Sequence, residues 1–446
     1  MIRKILQIVP FLAVLGLAVP VSALDVPLTY TRCDQGTEES LARESIYLAD
    51  NGQLPPGEWK LPSLVSKAPL YALVKLAGQD RLMVFDQAKP EDSFYNRVYF
   101  DANGNRDLTD DSVISGSVER TGPLTEAEFS PIDLTITVDG KQLNYSMVPE
   151  ATRFSPGAII GFALRVLSAD IDRPMIRLRA NCAYVGEFDL DGRHYRVTLL
   201  DENVNGRFDD HLKVLPPSPD DTQVSSSGDS ISIKVATDGA AIRTYQALGD
   251  LLVLDRTLFE VSLRVGEGKM TLSPYGGEIA SARLPEGFET LTLYTDEANP
   301  KGVMMYRPAQ TIPLPCGSYR LLQYDLFRDD EQGDRWTLSA AGAKDSAPFI
   351  AAKGGETALV CGEPFSPVVT VHGGTLKRSF FGGTSAQLDM VTKGTGNEEV
   401  TDVSHASGHN TRLPLSELDP GSPREPRYKV TKSDGEIVSE GAFRYG

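Results

Sequence analysis

The chain is poor in the residues that most enzyme chemistry uses. Its 446 residues include five histidines, four cysteines and two tryptophans. No HExxH, GxSxG or GxxxxGK[ST] segment occurs, so zinc-hydrolase, nucleophile-elbow and phosphate-loop readings have no motif behind them. No two cysteines form a CxxC pair, which weakens zinc and thiol-redox readings. Basic residues form no dense cluster, and 44 Lys and Arg stand against 61 Asp and Glu, a net charge of −17. That balance argues against nucleic acid or an anionic membrane as partner. Hydrophobic residues make up 41%, somewhat low for a globular protein but ample for a core at this length.

Long apolar runs are also missing after residue 19. Arg3 and Lys4, the fifteen-residue run Ile5 to Val19, and Val21-Ser22-Ala23 together read as a signal peptide. The run is too short to span a bilayer comfortably. Cleavage is expected after Ala23, giving a secreted or periplasmic protein with no membrane span in the mature chain. Cys33, Cys182, Cys316 and Cys361 would then suggest two disulfides, with three pairings open. Cys316 with Cys361 and Cys33 with Cys182 is the preferred set, and buried thiols are the other reading.

What is plentiful is strand patterning. One short helix is expected between Leu24 and Gly52, capped by Thr37, with Leu41, Ile46 and Leu48 inward. Beyond it Ile132, Leu134, Ile136 and Val138 alternate, Asp139-Gly140 turns the chain, and Leu143, Tyr145 and Met147 alternate back. Phe188, Leu190, Asp191-Gly192, Tyr195, Val197 and Leu199 repeat the pattern. Each reads as a β-hairpin with a two-residue turn. Pro156 to Leu167 is open between helix and buried strand. The expected fold is mainly β, with several antiparallel sheets or β-sandwich domains and few short helices. The expected divisions are residues 24–213, a linker or mobile loop at 214–230, a second β-rich domain at 231–361, and a sandwich at 362–446. Trp59 and Trp336 read as core aromatics.

Two oxygen-rich stretches stand one hundred residues apart. Asp201-Glu202-Asn203-Val204-Asn205-Gly206-Arg207-Phe208-Asp209-Asp210 follows the apolar Thr198-Leu199-Leu200. Asp101-Ala102-Asn103-Gly104-Asn105-Arg106-Asp107-Leu108-Thr109-Asp110 follows Val98-Tyr99-Phe100. Both place side-chain oxygens at positions 1, 3, 5 and 10, the alternation that lets one segment wrap a hard cation taking roughly six to eight oxygens. In the second loop Asp201, Asn203, Asn205 and Asp210 supply side chains, Arg207 its backbone carbonyl, and Asp209 direct or water-mediated help. In the first, Asp101, Asn103, Asn105 and Asp110 correspond, with Asp107 as an extra carboxylate. Two asparagines per site point to modest affinity, in the ~10⁻⁴–10⁻³ M range of extracellular modules. The plain structural alternative is an Asx-rich turn bonded to its own backbone.

The pattern resembles the calcium loops of EF-hand-like proteins, dockerins, thrombospondin type 3 repeats and Excalibur-like modules. Over about ten residues per site, that resemblance implies a structural Ca2+ ion and no activity. The Asp201 loop is the better match and departs from the EF-hand in having Asp at position 10 instead of Glu at position 12; the Asp101 loop has its glycine two places early, at Gly104. The last eighty-odd residues resemble, in strand pattern alone, the immunoglobulin-like or carboxypeptidase-regulatory-like accessory domains of exported bacterial proteins.

The remaining chemistry is sparse. His405 and His409 are four apart in what reads as a loop, and His194, His211 and His372 stand singly. Acidic pairs such as Asp329-Asp330 and Glu398-Glu399 could in principle serve glycoside hydrolysis. The first expectation is therefore an exported, calcium-stabilised β-protein that binds or assembles at the cell envelope or outside the cell, with an envelope or extracellular glycan or protein as partner. An extracellular hydrolase acting on glycans is the alternative, and a carbohydrate-binding module a third.

Overall fold

The computed structural model describes residues 22–33, 46–48, 53–122, 124–154, 174–218, 221–235, 245–331, 333–372, 387–405 and 422–443. The expected signal peptide and Pro156 to Leu167 lie outside them. Among the described residues the protein is mainly β, with no helix of seven or more residues and a single 3-10 turn at Val265–Glu267. No helix among them is long and apolar enough to cross a membrane.

Strand formation follows side-chain alternation. Along Ile132–Val138, Ile132, Ile136 and Val138 are buried while Asp133, Thr135 and Thr137 face water. The turn after it holds Asp139 at φ 49° and Gly140 at φ 77°. Both central residues are left-handed, as a turn matching the twist of its strands requires. The chain returns as Lys141–Phe154 in register with Ile132–Val138. Cys182–Leu190 and Arg193–Leu200 form the second expected hairpin around Asp191 (φ 50°) and Gly192 (φ 77°).

Two large sheets face one another. The smaller runs Ile46–Leu48, Met175–Ala180, Lys141–Phe154, Leu124–Phe129, Ile114–Thr121, Arg97–Phe100, Gln79–Asp86, Leu70–Leu76. The larger contains, in spatial order, Ser230–Val235, Arg193–Leu200, Cys182–Leu190, Leu24–Arg32, Lys269–Pro274, Thr257–Arg264, Leu251–Leu254 and Gly302–Tyr306. It continues through Phe288–Thr295, Gly317–Asp329, Arg335–Ala341, Glu399–His405 and Gln387–Lys393 to the edge strand Ser366–His372. Leu76, Phe85, Ile136 and Met147 of the smaller sheet share one core with Tyr184, Val197, Leu252 and Met304 of the larger. A second core lies where Ala280, Ala282, Ile312 and Leu314 of a three-stranded sheet cover Leu291, Leu293, Tyr324 and Leu326. Strand pairing runs across the expected divisions: Arg193–Leu200 pairs with Ser230–Val235, and Arg335–Ala341 with Glu399–His405.

Two expectations are corrected. Where the short helix was expected, Ile46–Leu48 is a strand, and Leu24–Arg32, ahead of the expected cap at Thr37, is a strand as well. Leu24–Arg32 pairs with Cys182–Leu190 on one side and Lys269–Pro274 on the other, and these distant partners decide its state. Ile46 and Leu48 pack inward with Tyr47 exposed between them, a period of two. Thr37, Leu41 and Asn51-Gly52 lie outside the described residues. The second correction concerns the cysteines, none of which forms a disulfide. Arg32 pairs with Cys182 across the ladder, so Cys33 points to the opposite face of the sheet. Cys33 packs with Ala183, Val185 and Leu200, and Cys182 lies in the main core. Cys316 is exposed and Cys361 buried.

Candidate metal centre

The two oxygen-rich loops leave strands at equivalent points. Asp101 follows Arg97–Phe100 directly, and Asp201 follows Arg193–Leu200. An apolar side chain at position 8 fastens each loop. Leu108 is buried against Leu82, Val84 and Tyr99. Phe208 is buried edge-on against Tyr184 and Tyr145, with ring centroids 4.9 and 6.1 Å away. The backbone is pinned too: Lys60 N–H donates to the Arg106 carbonyl at 2.9 Å, and Ala77 N–H to the Asn205 carbonyl at 2.7 Å.

Within the loops the same donors recur, the second adding a bond from Asn205 N–H to Asp201 Oδ1 at 3.2 Å. The position-6 N–H donates to the first aspartate: Arg106 to Asp101 Oδ2 at 3.3 Å, Gly206 to Asp201 Oδ2 at 2.7 Å. The position-5 N–H donates to the asparagine at position 3, at 2.9 Å in the first loop and 3.1 Å in the second. The position-7 N–H donates to Asn105 Oδ1 or Asn205 Oδ1, at 2.7 Å in each. Both asparagine amides donate to the closing aspartate. Asn103 and Asn105 reach Asp110 at 3.4 and 2.8 Å; Asn203 and Asn205 reach Asp210 at 3.0 and 2.6 Å. The displaced glycine is accommodated because both loops are left-handed at positions 4 and 6: Gly104 (φ 76°) and Arg106 (φ 67°), Val204 (φ 53°) and Gly206 (φ 83°).

Two expected helpers turn elsewhere. Asp107 pairs with Lys60 at 2.6 Å, which with Thr109 holds its carboxyl down at about 2. Asp209 pairs with Arg207 at 2.9 Å. The Arg207 guanidinium spans Asp209 and Asp139.

Two carboxylates outside the ten-residue motifs join the sites. Burial first, then the charges of Asp201 and Asp210, push Asp229 far above the ordinary carboxylate range, while the Glu202 N–H donates to it. Its Oδ2 accepts from Asp210 N–H at 2.8 Å. Burial likewise raises Asp201, even though Tyr145 Oη donates to it at 2.8 Å. In the first loop burial raises Asp111 to about 6, with Asp101 and Asp110 adding to it and the Ala102 N–H donating to it. Among the described residues Asp101 Oδ1, Asp111 Oδ2 and Asp229 Oδ1 are buried oxygens with no hydrogen-bond partner. Buried polar atoms are normally satisfied, and an absent ion is one reason for an exception.

This donor set suits a hard cation. Carboxylate, amide and carbonyl oxygens are what calcium takes, with neither sulfur nor imidazole needed. Among the described residues no group of three or more His, Cys, Asp or Glu side chains is by itself arranged to hold a metal ion. Each ten-residue loop instead combines two carboxylates with asparagine oxygens. An ion would be held by Asp201, Asn203, Asn205, Asp210 and the Arg207 carbonyl in one loop, and by Asp101, Asn103, Asn105 and Asp110 in the other. Asp229 carries no local signal, since it falls in a stretch read as linker. Asp111 stands one residue past the motif.

The other candidates have structural partners. Glu398 is fully buried and accepts from Tyr324 Oη at 2.9 Å and Gly396 N–H at 2.8 Å. Glu399 accepts from Thr222 and Gln223 at 2.9 and 3.0 Å. Asp329 pairs with Arg335 at 2.8 Å, and Asp330 accepts from Trp336 Nε1 at 3.1 Å. His405 ends the strand Glu399–His405, buried edge-on against Trp336 at 5.1 Å; His409 lies outside the described residues. His194 is exposed and bonds Asp189 at 2.9 Å. Set against family models, curated proteins and solved structures, the chain matches none.

Proposed function

We propose that the protein is an exported, calcium-stabilised β-protein that acts by binding or assembly at the cell envelope or outside the cell. One observation carries this reading. Two loops of different sequence adopt the same oxygen-rich pattern at the same place on a strand, and each has a buried carboxylate oxygen without a hydrogen-bond partner beside it or in it, Asp101 Oδ1 in the first and Asp229 Oδ1 against the second. Like charges brought together under burial oppose folding; a divalent cation reverses that cost. An ion bound only by the folded state stabilises it by mass action. Export to a calcium-bearing compartment, expected from Arg3, Lys4 and the apolar run after them, would supply the ion after secretion.

The binding role draws support from the C-terminal stretch, which we read as an immunoglobulin-like module. Among the described residues Ser366–His372 is an edge strand of the larger sheet and exposes Val368, Val369 and Val371. An edge strand with exposed valines is a surface on which another chain can be seated. The test is calorimetry of the full chain in calcium and in EDTA. Melting several degrees lower in EDTA is expected, and an unchanged melting temperature overturns the proposal.

A further inference from the structure

The two loops agree at positions 1 to 10, yet the oxygen that completes each comes from a different place in the chain. In the first site it belongs to Asp111, one residue past the loop. In the second it belongs to Asp229, on the segment that enters the strand Ser230–Val235. Both carboxylates accept from the N–H of loop position 2, Ala102 or Glu202; Asp111 directly follows Asp110 in the chain, and Asp229 Oδ2 accepts from the Asp210 N–H at 2.8 Å. Asp229 is fully buried with Oδ1 unpartnered, and so is Asp101. Two unrelated segments delivering a carboxylate to one spot in two copies of a loop is hard to explain by loop geometry alone. A turn satisfied by its own backbone has no use for another buried anion there.

The neighbouring charges sharpen the point. Arg81, itself buried, donates to the Asp101 and Ala102 carbonyls beside the first site. Beside the second, Arg207 is committed to Asp139 and Asp209. The segment before Asp229 is shaped for close approach. Gly228 sits at φ 130°, and a Cβ there would meet the His211 and Asp210 carbonyl oxygens at 2.8 and 2.9 Å. Asp229 N–H donates to the Asp210 carbonyl at 2.7 Å, and Leu248 N–H to the Asp229 carbonyl at 2.8 Å.

We infer that Asp111 and Asp229 are the closing calcium ligands of the two sites, and that the second ion therefore clamps the entry to the strand Ser230–Val235 onto the loop that leaves the strand Arg193–Leu200. This rests on the calcium reading above. The ion at the first site closes a local loop. The ion at the second joins segments separated by the excursion through residues 211–228.

The experiment is calcium titration of the full chain by calorimetry, with stoichiometry checked by elemental analysis, on the unaltered protein and on Asp111→Asn and Asp229→Asn. Hydrogen exchange over residues 208–232 is followed in calcium and in EDTA. The expected result is two ions for the unaltered protein, with each variant losing one or binding it at least tenfold more weakly. Calcium should slow exchange at Asp210 and Asp229 in the unaltered chain and in Asp111→Asn, but not in Asp229→Asn. Asp229→Glu keeps the carboxylate and should recover most of the protection, which separates ligation from a folding defect. Two ions with unchanged affinity in both Asn variants would overturn this inference while leaving the calcium reading intact. No calcium on the unaltered protein would overturn both.

Discussion

At the scale of single residues, the two loops show how one backbone tolerates two placements of glycine. Positions 4 and 6 are both left-handed, which costs a side-chain-bearing residue about 1–2 kcal/mol. Each loop places glycine at one of the two and accepts strain at the other. Val204 meets that strain as a buried side chain in the main core; Arg106 does so with its guanidinium 5.3 Å above the Trp59 ring. The glycines are nonetheless unequal. A Cβ on Gly206 would come within 2.6 Å of Ile136 Cδ1 and 3.1 Å of Leu76 Cδ1, both in the core. On Gly104 it would meet only side-chain atoms, Gln79 Oε1 at 3.0 Å and Arg81 Nη2 at 3.5 Å. Gly206→Ala should therefore cost about 2–4 kcal/mol, from left-handed strain and overpacking together, and Gly104→Ala about 1–2 kcal/mol from strain alone. Urea unfolding of both variants in EDTA checks the order; a costlier Gly104→Ala would show that the core does not set the second loop's shape.

At the scale of elements, local pattern and distant partner divide what sequence could reveal. The hairpin around Asp139-Gly140 is legible because Ile132, Ile136 and Val138 alternate with polar residues and the turn pair suits φ > 0. The loop donors are legible because their spacing is local. Leu24–Arg32 is not, since its strand state is set by partners at 182–186 and 269–272. Asp229 is not, since it reaches the loop only through the fold. The same carboxylates predict a pH dependence. In the ion-free protein Asp111 is raised to about 6, and Asp201 and Asp229 are raised by burial, Asp229 also by Asp201. Each therefore keeps its proton in the folded state at a pH where the unfolded chain has released it, so ion-free stability falls as pH rises above about 4. Calcium favours the ionised form and opposes that fall. The melting-temperature difference between calcium and EDTA should thus be small near pH 5 and clearly larger near pH 7.5. A difference that shrinks over this range would mean these groups are not where the ion binds.

At the scale of the whole molecule, the question is what holds such a long sheet closed. The strand Leu24–Arg32 joins its two parts by pairing with Cys182–Leu190 on one edge and Lys269–Pro274 on the other. Apolar burial on both sides of that strand is one available lock and the ions proposed above would be another, because no disulfide is formed. The geometry gives the reason. Cys33 and Cys182 occupy opposite faces of one sheet, and exposed Cys316 is separated from Cys361, which burial beside Glu398 keeps protonated. A disulfide typically contributes about 2–4 kcal/mol by restricting the unfolded chain, several degrees of melting temperature in a domain of ordinary size. Adding a reductant such as TCEP should leave the melting temperature within about 1 °C of its value without it, and thiol titration of the unfolded protein should count all four cysteines. A drop of several degrees on reduction, or fewer than four titratable thiols, would show that covalent cross-links share the task assigned here to packing and ions.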